Sequence, residues 1–162
     1  MAERFDQVEA ADALQSELRD LLCLAVVGDH VRWVLTGEEA SELAEWLIDA
    51  TPQWRSWADQ VAKHLVTLGV APDGRVRSLA MDIPLNWVPD GWLQPAEGRE
   101  LLANRLGSVT GRATYRRSQA TDSDVIRLFD AVCSGLEEQA ASLPMVSRSV
   151  RIRRASSAPC RL

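Results

Sequence analysis

Apolar side chains recur every three or four residues along the first part of the chain, which is the spacing of one face of an α-helix. They keep this spacing over residues 8–33, after which Gly37 provides a stop signal. A second stripe of the same kind covers residues 43–65 and ends at Gly69. The pattern therefore predicts two long helices joined by a short turn.

Pro52 lies inside the second stripe. A proline within a helix removes a backbone hydrogen bond and costs roughly 3 kcal/mol, so it kinks or breaks the helix. We expect a bend here with Thr51 distorted. The alternative is two shorter helices separated at residues 51–52.

The helical pattern fails at residues 70–97, where Pro and Gly recur in turn-forming combinations. One short helical turn is expected at residues 77–81. Two further stripes predict a third helix at about residues 95–117 and a fourth that begins at Thr121 as N-cap and ends before Pro144. The predicted fold class is all-α, a four-helix bundle with a long crossover between helices 2 and 3, which is the ferritin-like layout.

The composition fits one intracellular domain, with 162 residues of which 46% are hydrophobic and 25% charged. The longest apolar run, residues 21–27, is far shorter than a membrane span, and the N-terminus shows no secretory signal. Three widely spaced cysteines favour reduced thiols in the cytoplasm. Cys23 and Cys133 fall on apolar stripes and are expected to be buried and inert, whereas Cys160 is expected to be exposed.

The charge is distributed unevenly. The net charge is −5, yet residues 147–162 contain five of the 18 basic side chains and no acidic one. We expect two parts, a bundle at residues 1–146 and a basic flexible tail at residues 147–162. An arginine that meets a phosphate releases a counterion, so such a tail favours nucleic acid at low salt. The tail arginines are Arg148, Arg151, Arg153, Arg154 and Arg161.

Two segments carry a resemblance to a known family. The segment RWVLTG begins at Arg32, and the segment DQVAKHLVTLG begins at Asp59. Together they resemble the Dps proteins, the mini-ferritins of starved bacteria, whose pattern is His-Trp-Asn-x-x-Gly followed by Asp-x-x-Ala-Glu-Arg and Leu-Gly-Gly. The segment APDGR at residues 71–75 resembles actinobacterial members. The likeness covers residues 8–142.

The resemblance implies a hollow homo-oligomeric shell, expected to be a dodecamer, that oxidises iron(II) at two-fold subunit interfaces. The family's ligands there are imidazoles and carboxylates, which suit iron. At the five ligand positions this chain has Arg32, Ala44, Ile48, Asp59 and Lys63. Only Asp59 is a competent ligand, and the two cations would repel the metal. We expect little or no ferroxidase activity and no cofactor, with iron as the alternative.

A salt bridge is expected to replace the metal at this interface. Arg32 of one subunit would reach Asp59 of the partner subunit, because a guanidinium pairs bidentately with a carboxylate. The alternative is a relocated metal site beside the lost ligands. Its residues, otherwise ordinary polar groups, are His30, Glu45, Asp49 and His64.

Two other groups of residues have a functional and a structural interpretation. Asp122 and Asp124 resemble the acidic residues that line the family's iron-conducting pores at the three-fold axis, and capping of the fourth helix explains them equally well. Four tryptophans at helical spacing are expected to pack in the core or at a subunit interface rather than to form a ligand pocket. They are Trp33, Trp46, Trp54 and Trp57.

The preferred interpretation is a Dps-like shell that binds and protects DNA through its basic tails, since many tails on one shell provide avidity. Two alternatives stay open: an iron-oxidising and iron-storing mini-ferritin with an altered site, and a helical partner-binding protein without a shell. Association with the nucleoid and co-assembly with a paralogue that oxidises iron are compatible with the sequence.

Overall fold

The computed structural model describes residues 2–82 and 88–145, with side chains described from residue 7 onward except at 81–82. Within these ranges the regular structure is helical, apart from one isolated parallel bridge between Leu35 and Leu93. The predicted all-α bundle with a long crossover is confirmed. The helices are α1 (Ala2–Val34), α2 (Ala40–Thr67), α3 (Val76–Asp82), α4 (Pro95–Gln119) and α5 (Ser123–Ser142).

The helix α2 runs without interruption through Pro52. The alternative of two shorter helices is therefore wrong. Thr51 and Trp54, on either side of the proline, are both buried. Burial of one apolar face along the whole helix outweighs the hydrogen bond that the proline removes. The expected bend at this turn stays a prediction.

The four long helices share one core. Trp54 and Trp57 of α2 are buried in it, and Trp46 packs against Trp54 with 6.0 Å between the ring centroids. Trp33 is different because it is 65% exposed, so it does not belong to the core of a single chain. The largest fully buried aliphatic and aromatic side chains include Leu14, Leu21, Leu43, Leu47, Leu65, Leu102, Leu106, Phe129 and Leu136.

The crossover, the segment between α2 and α4, is hydrogen-bonded near both of its ends to α1 and the residues that follow α1. At its start, the side-chain amide of Gln15 donates a hydrogen bond to the Asp73 carbonyl and accepts one from the Asp73 N–H. Both donor–acceptor distances are 2.8 Å. At its end, the Leu93 N–H donates to the Val34 carbonyl at 2.8 Å, and the Thr36 N–H donates to the Leu93 carbonyl at 3.0 Å. These bonds set the position at which α4 begins.

The crossover also contains the short helical turn predicted at residues 77–81, which is confirmed as α3. After the crossover, Gln94 and Glu97 form a reciprocal capping box at the start of α4. In the parts of the chain that the structure describes, no helix is both long and apolar enough to cross a membrane.

Candidate functional site

Asp59, which the resemblance implies is the one competent ligand, lies on an exposed face of α2 and is paired within its own chain. Its Oδ2 lies 2.6 Å from Nζ of Lys63, one helical turn further on. The Asp59 side chain is 61% exposed and the Lys63 side chain 73%. An exposed pair contributes little stability. It nevertheless puts an ammonium beside the carboxylate, so a metal cation that approaches Asp59 meets a positive charge.

Arg32 lies in the last turn of α1, with its Nη2 3.6 Å from Oδ1 of Asp29. Asp29 accepts a shorter hydrogen bond, of 2.6 Å, from Nη2 of Arg55 and thereby links α1 to α2. Within one chain, Arg32 therefore faces Asp29, whereas Asp59 faces Lys63. The expected contact between Arg32 and Asp59 joins two subunits and stays a prediction.

Two further positions at which the resemblance implies a ligand lie on α2 and offer no metal-binding atom. Ala44 is half-buried, and Ile48 is 55% exposed. With cations at Arg32 and Lys63 as well, the five positions do not fit iron(II), which binds carboxylate and imidazole ligands. Iron as a substrate would find a single carboxylate here, that of Asp59.

The residues of the alternative metal site are distributed along both helices. His30 and His64 are half-buried, and Glu45 and Asp49 are exposed. Among the residues that the structure describes, no three His, Cys, Asp or Glu side chains approach closely enough to hold a metal ion. These four residues therefore do not form a metal site within one chain.

Asp122 is the N-cap of α5. Its Oδ1 accepts the N–H of Asp124 at 2.7 Å and that of Val125 at 3.1 Å, and the bonds from Val125 and Asp124 hold the pKa of the carboxyl below its ordinary value. The cap is thus one residue later than the expected Thr121, because the Asp122 carboxylate is the group that reaches these amides. Asp124 itself pairs with Arg127. Capping accounts for Asp122, and the pore role of both acids stays a prediction.

The cysteines differ in their surroundings. Cys23 is buried, and desolvation raises the pKa of its thiol to about 11. Cys133 is half-buried rather than buried as expected, with its Sγ 3.7 Å from Oγ1 of the exposed Thr114. Desolvation raises the pKa of its thiol as well. Several predictions fall outside the described residues: those for Cys160 and for the tail arginines Arg148, Arg151, Arg153, Arg154 and Arg161.

A cluster of four charged residues lies between α1 and α4, and we call it the α1–α4 charge cluster: Glu17, Asp20, Arg112 and Arg116. Arg112 donates from Nε and Nη2 to the two oxygens of Asp20, at 2.9 and 2.8 Å. Arg116 lies 2.6 Å from Oε2 of Glu17 and 2.7 Å from Oδ2 of Asp20. Two guanidinium groups of α4 are therefore fixed by two carboxylates of α1.

Glu17 is the innermost member of the cluster and is fully buried. Its Oε1 has no hydrogen-bond partner. Burial raises the pKa of its carboxyl to about 7, although Arg116 acts in the opposite direction. Sequence reasoning that treats charged residues as a solvated face misses this site. The available signal is spacing, because Glu17 lies three residues after Leu14 and four before Leu21, on the apolar stripe of α1.

The fold is similar to that of solved Dps structures. Dps92 from Deinococcus radiodurans superposes with a TM-score of 0.82 at 24% identity, over 85% of each chain. Mycobacterium smegmatis Dps in its tetragonal form gives 0.81 at 21% identity, again over 85% of each chain. Dps from Microbacterium arborescens in its high iron form gives 0.80 at 19% identity, over 85% of this chain and 91% of that one. The chain therefore has the ferritin-like fold that these Dps proteins share.

Two curated relatives share sequence with parts of the chain. The fine tangled pili major subunit of Haemophilus ducreyi is 36% identical over 64 residues, 40% of this chain and 34% of that protein. DNA protection during starvation protein 2 of Deinococcus radiodurans is 26% identical over 111 residues, 68% of this chain and 46% of that protein. The chain thus spans about a third and just under half of these relatives. No protein-family model matches it.

Proposed function

We propose that this chain is a Dps-like protein that assembles into a hollow homo-oligomeric shell, protects DNA and has little or no ferroxidase activity. The fold it shares with Dps structures supports the assembly, and the Deinococcus relative is named for DNA protection. We further propose that it works in the cytoplasm, in contact with the nucleoid.

The loss of iron oxidation rests on one observation, the 2.6 Å ion pair between Asp59 and Lys63. A ferroxidase site needs several hard donors around a metal with open coordination positions. Here the single carboxylate has an ammonium beside it, and the other positions hold an arginine and two aliphatic side chains. The chain's own residues therefore oppose the binding of iron(II) at this place.

Restoring the missing ligands gives the sharpest test of the proposed lack of ferroxidase activity. Oxidation of iron(II) is followed by absorbance, with oxygen and with peroxide, at fixed iron per subunit. The unchanged protein should match both Asp59→Ala and the rate in buffer. A fourfold variant, Arg32→His, Ala44→His, Ile48→Asp and Lys63→Glu, should oxidise iron at least about tenfold faster, since it supplies the donors that iron binds.

The control is the same fourfold variant carrying Asp59→Ala, which should lose most of the restored rate. If the unchanged protein oxidised iron well above its Asp59→Ala variant, the chain would be an iron-oxidising mini-ferritin with an altered site, and the proposal of a lost activity would be wrong.

Assembly is tested by light scattering on the eluate of a sizing column. We expect a mass near twelve times the 17.9 kDa of one chain. We also propose that Arg32 pairs with Asp59 of the partner subunit, since both side chains are accessible in the single chain. Arg32→Asp and Asp59→Arg should each reduce the assembled fraction, and the double exchange should restore it. A mass of one chain would favour the partner-binding protein without a shell.

DNA binding is assigned to the five arginines within residues 147–162. A gel-shift series at increasing salt compares the full chain with one cut after Met145 and with a full-length control in which the five arginines are glutamine. Each arginine–phosphate contact adds to the salt dependence of binding. Both altered chains should lose retardation. Unchanged retardation of the shortened chain would exclude the tail as the contact.

A further inference from the structure

The four long helices form two closely packed pairs, α1 with α2 and α4 with α5. Two main contacts join these pairs, one between α2 and α5 and one between α1 and α4. The α2–α5 contact is built from tryptophans: Trp57 packs beside Gly135, and Trp54 donates a hydrogen bond to Gln139. The α1–α4 contact instead contains the α1–α4 charge cluster. The pairs are therefore joined by packed rings on one side and by ion pairs on the other.

The α1–α4 contact is also incompletely packed. A cavity of about 420 Å³ lies between the two helices, beside the charge cluster. Its lining combines polar side chains with apolar ones from both helices, among them Leu24 and Val27 of α1 and Val109 of α4. Cys23 of α1 lines it as well. A region with fewer buried contacts opens at a lower free-energy cost than a filled core, so the α1–α4 contact is the one expected to open first.

Glu17 is the member of this contact whose protonation responds to pH near neutrality. It is fully buried, its Oε2 lies 2.6 Å from Arg116, and its Oε1 has no hydrogen-bond partner. Burial raises the pKa of the carboxyl to about 7. An ionised oxygen without a donor is costly in a protein interior, because it has lost the hydrogen bonds that water provides. Ionisation therefore favours an arrangement in which water reaches Oε1.

The charged groups of α1 and α4 do not remove this cost. Arg116 favours the ionised form of Glu17, but its guanidinium is divided between Glu17 and Asp20, which lies 2.7 Å away. Arg112 uses two N–H groups on the oxygens of Asp20. Asp20 opposes the ionisation of Glu17, because like charges repel. The cluster thus satisfies Asp20 at three donors and leaves Glu17 with one paired oxygen.

The other two long helices also leave Oε1 of Glu17 without a donor. On α5 the Cys133 thiol faces Glu17 and stays neutral, because desolvation and the nearby carboxylates raise its pKa. On α2 the facing residue follows from the antiparallel packing with α1. Because Gly28 meets Trp54, Glu17 lies at the level of the uncharged and fully buried Leu65.

We propose that the α1–α4 charge cluster is a pH-sensitive switch that opens the α1–α4 contact when Glu17 ionises. While Glu17 is protonated, α1 and α4 stay together and the cavity is closed to bulk water. When Glu17 ionises, the two helices separate transiently, and water reaches Oε1 and Cys23. The tryptophan contact between α2 and α5 holds the helix pairs together meanwhile. The switch is independent of the proposed shell, tail and iron chemistry.

The direction of the pH response follows from the two states of Glu17. The carboxyl has a pKa of about 7 in the closed state and returns toward its ordinary value of 4.5 when solvated. The closed state therefore binds more protons between these values, and the equilibrium constant of opening rises with pH. The rise is up to about a hundredfold and levels off above pH 7.

The test measures how fast iodoacetamide labels Cys23 in the full-length protein from pH 5 to pH 8. Cys133→Ser and Cys160→Ser remove the other thiols, and each rate is divided by the rate of the same protein unfolded in urea at that pH. The corrected rate should rise at least about tenfold between pH 5 and pH 8. Glu17→Gln should keep it near its value at pH 5, whereas Glu100→Gln, an exposed position on α4, should behave like the parent.

Low concentrations of urea separate local opening from global unfolding. Opening of one contact exposes little surface, so the labelling rate at pH 8 should hardly change with urea, whereas global unfolding accelerates steeply. The proposal is overturned if the corrected rate does not depend on pH, if Glu17→Gln keeps the full rise, or if labelling responds to urea as global unfolding does. The parent protein alone decides the first and third outcomes, even if Glu17→Gln does not fold.

Discussion

The indole of Trp57 on α2 occupies the space directly beside Gly135 on α5. A Cβ built on Gly135 would lie 2.2 Å from Cζ2 of that ring, which is closer than any real contact. Trp54 makes the same kind of approach to Gly28 on α1, where a Cβ would lie 2.5 Å from Cζ3. The absence of a side chain at these two glycines therefore allows two tryptophans of α2 to pack against both neighbouring helices.

We expect Gly135→Ala to destabilise the protein by about 1–3 kcal/mol, because the methyl group forces Trp57 out of its packed position. Gly107→Ala on α4 is the matched control, since nothing lies within 4 Å of the new methyl group. The control should be neutral or stabilise by up to about 1 kcal/mol through helix propensity. Urea unfolding at one protein concentration measures both, and equal effects at the two sites would contradict the packing argument.

Glu17 makes stability depend on pH. Its carboxyl has an ordinary pKa of 4.5 when exposed and a pKa of about 7 in the folded chain, because burial disfavours the ionised form. Between these values the folded state binds more protons than the unfolded state, so the free energy of unfolding falls as pH rises. The contribution of the protonated Glu17 carboxyl to the free energy of unfolding is therefore fully present below about pH 4.5, and it is lost as pH rises through 7.

We expect Glu17→Gln to abolish the fall in the free energy of unfolding that Glu17 causes as pH rises. The glutamine keeps an oxygen acceptor for Arg116 but cannot ionise. At pH 8 the variant should be more stable than the unchanged protein by up to about 3 kcal/mol, the equivalent of the pKa difference, and at pH 5 the two should be similar. Glu100→Gln, at an exposed position on α4, is the control. Urea titrations from pH 5 to pH 8 that show a constant difference between Glu17→Gln and the parent would exclude this role.

The long helices can be predicted from the sequence because burial of one face imposes apolar residues every three or four positions. The end of α1 is visible as well, since Gly37 has a φ of 104° that other residues rarely adopt. The start of α5 is less predictable. Thr121 and Asp122 are both good caps, and the backbone geometry decides which side chain faces the free amides.

The candidate site is predictable only where it depends on neighbours along one helix. The ion pair of Asp59 and Lys63 follows from their four-residue spacing. The burial of Glu17 depends on Arg116, which lies 99 residues away on α4, so no local pattern reveals the partner. The contact proposed for Arg32 depends on a second chain and on how the two pack, which neither periodicity nor composition encodes.

Asp122 offers a way to separate helix capping from a pore role. Its side chain accepts two backbone N–H groups at the start of α5, and those bonds lower the pKa of its carboxyl. The stabilisation they provide is therefore present above the ordinary pKa of an aspartate and is lost as pH falls through the lowered value. We expect Asp122→Ala to lower the melting temperature at pH 7 by a few degrees.

Asp122→Asn is the informative comparison, because asparagine caps helices nearly as well but carries no charge. Its melting temperature should stay close to that of the parent protein. If the residue also lines a cation pore, iron(II) uptake into the assembled shell should fall in Asp122→Asn and in Asp124→Asn while the fold stays intact, since a neutral pore no longer attracts cations. If iron(II) uptake fell only in the variants whose melting temperature also fell, helix capping would be the full role of Asp122 and the pore role would be excluded.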